Sequence, residues 1–157
     1  MPSLNIIPSS QPALLREYFF PLNTGNIQEG IGLRVVRNEN HFAPLEWYRG
    51  NILPSRQGSP SSSLIEGYQA ISEGTTVYVN AANIDGSNFF TNIYLLSYTG
   101  SGQASSDLLN ILGQLKTNWR FNVNVPDPDD KLRLVRDTKR LSDFAYLNQV
   151  LTRYRQD

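Results

Sequence analysis

The chain has 157 residues, no cysteine, a single histidine and no net charge. Disulfide staples, thiolate chemistry, cysteine-ligated metals and two-histidine zinc sites are therefore excluded. So is the large positive excess usual in a nucleic-acid-binding module.

The length suits one domain with its own core. Asn and Ser occur 15 times each, so much of the polar content is uncharged and fits caps and turns. The opening Met1-Pro2-Ser3-Leu4-Asn5 has neither the basic start nor the apolar stretch of a secretory leader. No run approaches the roughly 18 apolar residues of a membrane span.

Residues 1–12 read as turns around Pro2, Pro8 and Pro12, with Ser9 or Ser10 placed to cap a short helix over 13–19 that Pro21 ends. A loop over 23–30 leads to a strand at 31–37, with Ile31, Leu33 and Val35 on one face. The stretch 42–52 carries Trp47 and Tyr48 and has room for one turn of helix or a short strand. Residues 54–63, rich in Ser, Pro and Gly, read as the clearest loop.

A short strand at 65–71 turns at Glu73-Gly74. Strands at 75–82 and 90–98 then follow, joined across 83–88. Helical spacing begins after residue 103, with Ala104, Leu108, Ile111, Leu112 and Leu115 in one stripe and Ser105 or Ser106 as cap. Gly113 inside that stripe predicts a close approach by another element. Residues 121–125 alternate like a short strand or an extended exit from the helix.

Residues 127–130 carry three aspartates, with Asp130 read as the cap of a last helix over 132–154 and Asp127 and Asp129 favouring its N-terminus. A calcium loop would need a Gly and a terminal Glu that are absent. Along this helix Leu134, Leu141, Phe144, Leu147, Leu151 and Tyr154 recur at spacings of mostly three and four. Residues 1–130 hold 7 basic and 11 acidic side chains, and residues 131–157 hold 7 basic and 3 acidic. The helix is thus basic against an acidic body, and its stripe requires cover.

These elements predict a single α+β domain: a small, mainly antiparallel sheet covered by two C-terminal helices. The loop at 54–63 interrupts it, and helix 132–154 is its most independent part. The alternative is a β-sandwich-like body with the last helix projecting.

Candidate chemistry is sparse. His41 near Glu39 and Glu46 would be the base of a hydrolase, but no motif picks out its nucleophile. The carboxylates Glu39, Glu46, Glu66 and Glu73 show no spacing that defines a glycosidase pair. Trp47, Tyr48, Tyr78 and Tyr94 on strand and near-strand positions would stack a glycan or peptide if a sheet face is open, and otherwise form core. The partner-binding candidates are Arg133, Arg136, Lys139, Arg140, Leu141, Phe144 and Leu151 on the last helix. No cofactor or metal is implied.

The stretch Val135-Arg-Asp-Thr-Lys-Arg-Leu-Ser-Asp-Phe-Ala-Tyr-Leu-Asn-Gln-Val-Leu-Thr-Arg-Tyr resembles a segment of type IV pilin and pseudopilin-like proteins. Arg136, Asp137, Lys139, Arg140, Leu141, Asp143 and Tyr154 carry the likeness, and Phe144 stands where Leu is usual. In that family the segment follows an apolar anchoring helix, which residues before 135 do not provide. Residues 66–83 and 91–98 resemble a module of large envelope-associated proteins of uncultured bacteria. The resemblance implies a structural or adhesion-like component of the bacterial envelope, extracellular or cell-surface, that meets other protein subunits or its own acidic body. The residues alone leave a cytoplasmic protein, a His41 hydrolase and a glycan- or peptide-binding module as alternatives.

Overall fold

Leu14–Thr24 forms a strand, β1, and not the short helix expected there. It pairs antiparallel along its length with β2, Ile27–Arg37. Pro21 would break a helix but is tolerated in β1, because among the described residues one side of this strand has no paired neighbour. The computed structural model describes residues 13–24, 27–99 and 104–155, so the proposed caps Ser9 and Ser10 lie outside the described residues.

Among the described residues, six antiparallel strands make one sheet in the order β1-β2-β6-β5-β4-β3. The others are β3 Ser61–Ile65, β4 Tyr68–Glu73, β5 Thr76–Asp85 and β6 Asn88–Thr99. Strands β3 to β6 form a meander, and β6 then pairs with β2. The expected strand at 65–71 is really a hairpin. Glu66 and Gly67 both take positive φ, 47° and 83°, which is the geometry of a two-residue type I′ turn. The loop expected over 54–63 is shorter, with a 3-10 turn at Pro54–Arg56 and β3 beginning at Ser61.

The sheet buries both faces. Pairing places Val36, Ile93, Leu95, Tyr78 and Ile71 on one face. Helix α1, Pro44–Asn51, covers it with Trp47 and Tyr48. The stretch 42–52 therefore makes two turns of helix, started by Pro44 at its first position. Ile31, Leu96, Val77, Val79, Tyr68 and Ala70 lie on the other face, beneath α2, Ser106–Asn118, and the following Phe121.

Ser105 caps α2, its hydroxyl accepting from Leu108 N at 3.2 Å. The buried Glu29 holds that cap, accepting from Ser105 N at 2.8 Å and from the Ser105 hydroxyl. Gly113 has no described neighbour where a Cβ would stand, so the expected close approach is absent. Residues 121–125 form a turn and not a strand.

Helix α3 spans Pro128–Tyr154. Its cap is Asp127, which accepts from Asp129 N at 2.8 Å, while Asp129 and Asp130 sit in the first turn. This corrects the assignment of the cap to Asp130. Pro128 at N1 fixes where the helix begins. Packing is against β4 and β5. Leu134 joins the core cluster beneath α2, and Ser142 reaches Asn80, which shares its face with Tyr78. The two C-terminal helices thus pack against the sheet as expected, while α1 supplies the cover opposite α2.

Candidate functional site

Helix α3 docks along a line different from the apolar stripe expected. Its buried residues are Leu134, Thr138 and Ser142, at i, i+4 and i+8. Leu141 is half-buried, whereas Phe144, Leu147, Leu151 and Tyr154 are exposed, Tyr154 by 81%. The reason is geometric. An α-helix turns about 100° per residue. Three of the five steps from Leu134 to Tyr154 are i+3 steps, and each lags by roughly 60°. The six residues therefore wind around the helix. The distal four lie roughly 160° from the docking line. Tyr146 and Val150 widen that exposed apolar face.

The basic residues share the exposed side. Arg133 pairs with Asp130 at 2.8 Å, Arg140 with Asp137 at 3.1 Å and Lys139 with Asp143 at 2.6 Å. Arg136 lies 3.8 Å from Asp137. These ion pairs are within the helix, not with the acidic body. Exposed pairs of this spacing contribute about 0.3–0.5 kcal/mol each. Their work is to support a helix that runs about 40 Å, half of it beyond its docking contacts.

Trp47, Tyr48 and Tyr78 are not presented to any ligand. They are 2%, 1% and 3% exposed and pack on one another, with the Tyr48 and Tyr78 rings edge to face at 5.4 Å. Burial holds the Tyr78 phenol above its usual range. Gly58 N donates to the Tyr48 hydroxyl at 2.9 Å, which satisfies its polar end. These three form the core beneath α1, which corrects their reading as a binding platform.

His41 stands after β2 with φ of 55°. Its Nδ1 lies 3.1 Å from Thr91 Oγ1, and Thr91 Oγ1 donates to Asn38 O at 3.2 Å. The Asn38 carbonyl and His41 Nδ1 thus share one hydroxyl, whose single proton can serve only one of them at a time. A nucleophile whose proton is contested by a backbone carbonyl is poorly set for activation by the ring. Thr91 is also fully buried. Glu39 pairs with Arg37 at 3.5 Å, and Glu46 belongs to α1, so neither is found hydrogen-bonded to the ring. Burial lowers the His41 pKa from 6.5 and favours the neutral ring. The aspartates 127, 129 and 130 do not assemble into a metal-binding group among the described residues.

Tyr94, the fourth aromatic candidate, has a different setting. Its ring packs edge to face on Phe121 at 5.0 Å, and it also lines a cleft of about 870 Å³. This cleft runs over β1, β2 and the β5–β6 hairpin, with Leu33, Val35 and Tyr94 among its apolar residues. Burial raises the Tyr94 phenol, and a hydrogen bond with the Asn92 side chain works against that. Nothing in the sequence pattern marked this cleft. Its residues come from four strands and one turn.

Compared with protein-family models, curated proteins and solved structures, the chain matches none. No helix among the described residues is long and apolar enough to cross a membrane.

Proposed function

We propose that this protein is a non-catalytic structural component that assembles with other copies of itself through α3. The observation that carries the reading is the exposed face of Phe144, Leu147, Leu151 and Tyr154, turned away from the line on which the helix docks. Contiguous exposed apolar surface of this kind marks an association site. The proximal half of α3 is fixed to β4 and β5, so the distal half is presented in a set direction. A helix–helix contact between copies would cover it and leave the flanking ion pairs at the rim.

The resemblance of residues 135–154 to pilin-like segments agrees with an assembly role and supports placing the protein at the bacterial envelope. The hydrolase alternative loses support because the hydroxyl that His41 meets, Thr91, is fully buried and also bonded to the Asn38 carbonyl.

Sedimentation of the purified chain over a concentration series tests the reading. A rise in mass with concentration that Leu151→Asp abolishes is the expected result. A monomer at every concentration, with or without the substitution, overturns it.

A further inference from the structure

The cleft over β1, β2 and the β5–β6 hairpin contains a polar atom that the fold leaves unanswered. Asn92 is 1% exposed, and its Oδ1 has no hydrogen-bond partner among the described residues. Buried amide oxygens are nearly always paired, so one without a partner on a residue that lines a cleft marks a place where a bound molecule can supply the donor. The cleft is also roomy, about 870 Å³, within the range that small-molecule sites occupy.

The character of its wall limits what that donor belongs to. Arg16 and Arg37 are balanced by Glu39 and Asp85, so the lining has no net charge when His41 is neutral. An organic anion or cation would meet as much repulsion as attraction. A neutral molecule with many hydroxyls would not, because each hydroxyl can donate to a carboxylate or amide oxygen and accept from a guanidinium. Leu33, Val35 and the ring of Tyr94 offer an apolar floor, and Tyr18 on β1 lines the cleft while remaining 48% exposed. The C–H face of a sugar ring fits against such aromatic surface.

We infer that this cleft is a saccharide-binding site in which a sugar hydroxyl donates to Asn92 Oδ1 and Tyr18 stacks on the ring. It is independent of assembly through α3, because the residues on which it rests are separate from the distal stripe.

The test is titration of the ¹⁵N-labelled full chain with cellobiose, maltose and N,N′-diacetylchitobiose, followed by amide chemical shifts. At least one sugar is expected to give saturable movement of the Asn92 and Asn83 side-chain amides, with Leu147 and Leu151 amides unmoved. Asn92→Leu should abolish the movement of the remaining reporter, the Asn83 side-chain amide. Tyr18→Ala changes an exposed side chain, so the fold should persist while affinity falls about tenfold, which is about 1.4 kcal/mol. The inference is overturned if none of the three sugars gives saturable shifts, or if Tyr18→Ala binds as the parent chain does. Saturable shifts at the cleft with a short peptide and with no sugar would also overturn it.

Discussion

Asn80 Nδ2 donates to Ser142 Oγ at 3.1 Å, joining strand β5 to helix α3 through two buried polar side chains. The link continues, since Asn38 Nδ2 donates to Asn80 Oδ1 at 3.0 Å and Asn38 Oδ1 accepts from Phe42 N at 3.1 Å. One chain of hydrogen bonds therefore runs from the turn after β2, through β5, to α3. Ser142 also donates to Thr138 O at 3.2 Å, so its hydroxyl proton is used within the helix while its lone pair serves Asn80. Ser142→Ala would leave a buried amide N–H₂ of Asn80 short of an acceptor. We expect a loss of about 1–3 kcal/mol, read as a lower midpoint in urea unfolding at unchanged m-value.

The distal stripe predicts the opposite pattern. Leu147→Asp and Leu151→Asp alter exposed side chains that belong to neither core cluster, so the stability of the isolated fold should change by only about 0.5 kcal/mol. Mass in sedimentation should nevertheless fall. Leu141→Asp is a poorer probe, because Leu141 is half-buried at the edge of the docking line and would lower mass and stability together. If Leu151→Asp lowered the melting temperature as strongly as Ser142→Ala, the distal half would be part of the fold and not a free surface.

Strands β2, β5 and β6, both late helices and the α+β class were legible because alternation and helical spacing report burial directly. What failed did so for identifiable reasons. The docking line Leu134, Thr138, Ser142 contains two hydroxyl residues, and a reading that looks for apolar stripes passes over them. Both are satisfied by carbonyls one turn back, Thr138 on Leu134 O at 2.7 Å, which is how they tolerate burial. Strand β1 carries local signals of a short helix, but its partner, β2, decides its conformation. The cleft was invisible because Tyr18, Val35 and Asn92 meet only through strand pairing. The contact of His41 with Thr91 spans fifty positions and leaves no local trace.

The His41 ring gives stability a pH dependence of known sign. Its folded pKa lies below 6.5, lowered by burial, so the unfolded chain binds more protons in the window just beneath that value. Stability is then fully present above the unfolded pKa and is lost as pH falls through the window. His41→Asn keeps a residue that accepts the positive φ of 55° but does not titrate. The difference in unfolding free energy between pH 7.5 and pH 5.5 should be smaller in the variant than in the parent. Equal differences would mean that the ring is solvated in the folded chain.

The β3–β4 turn supplies the last expectation, because it ties a backbone requirement to two packing contacts. Gly67 has φ of 83°, and a Cβ there would stand 3.3 Å from the Val135 side chain of α3. Glu66 beside it also has positive φ, and its carboxylate accepts from Phe121 N, the backbone that carries the ring packed on Tyr68 and Tyr94. Gly67→Ala adds left-handed strain and crowds α3, and should cost about 1 kcal/mol or more. Glu66→Asn separates the two roles of its position. Asn accepts the positive φ more readily than Glu, but its shorter side chain should not reach Phe121 N. The turn should therefore stay formed while Phe121 loses its anchor. Amide hydrogen exchange should then show faster exchange at Phe121 N, with the β3–β4 ladder still protected. Loss of protection across β3 and β4 together would show that the carboxylate holds the hairpin itself.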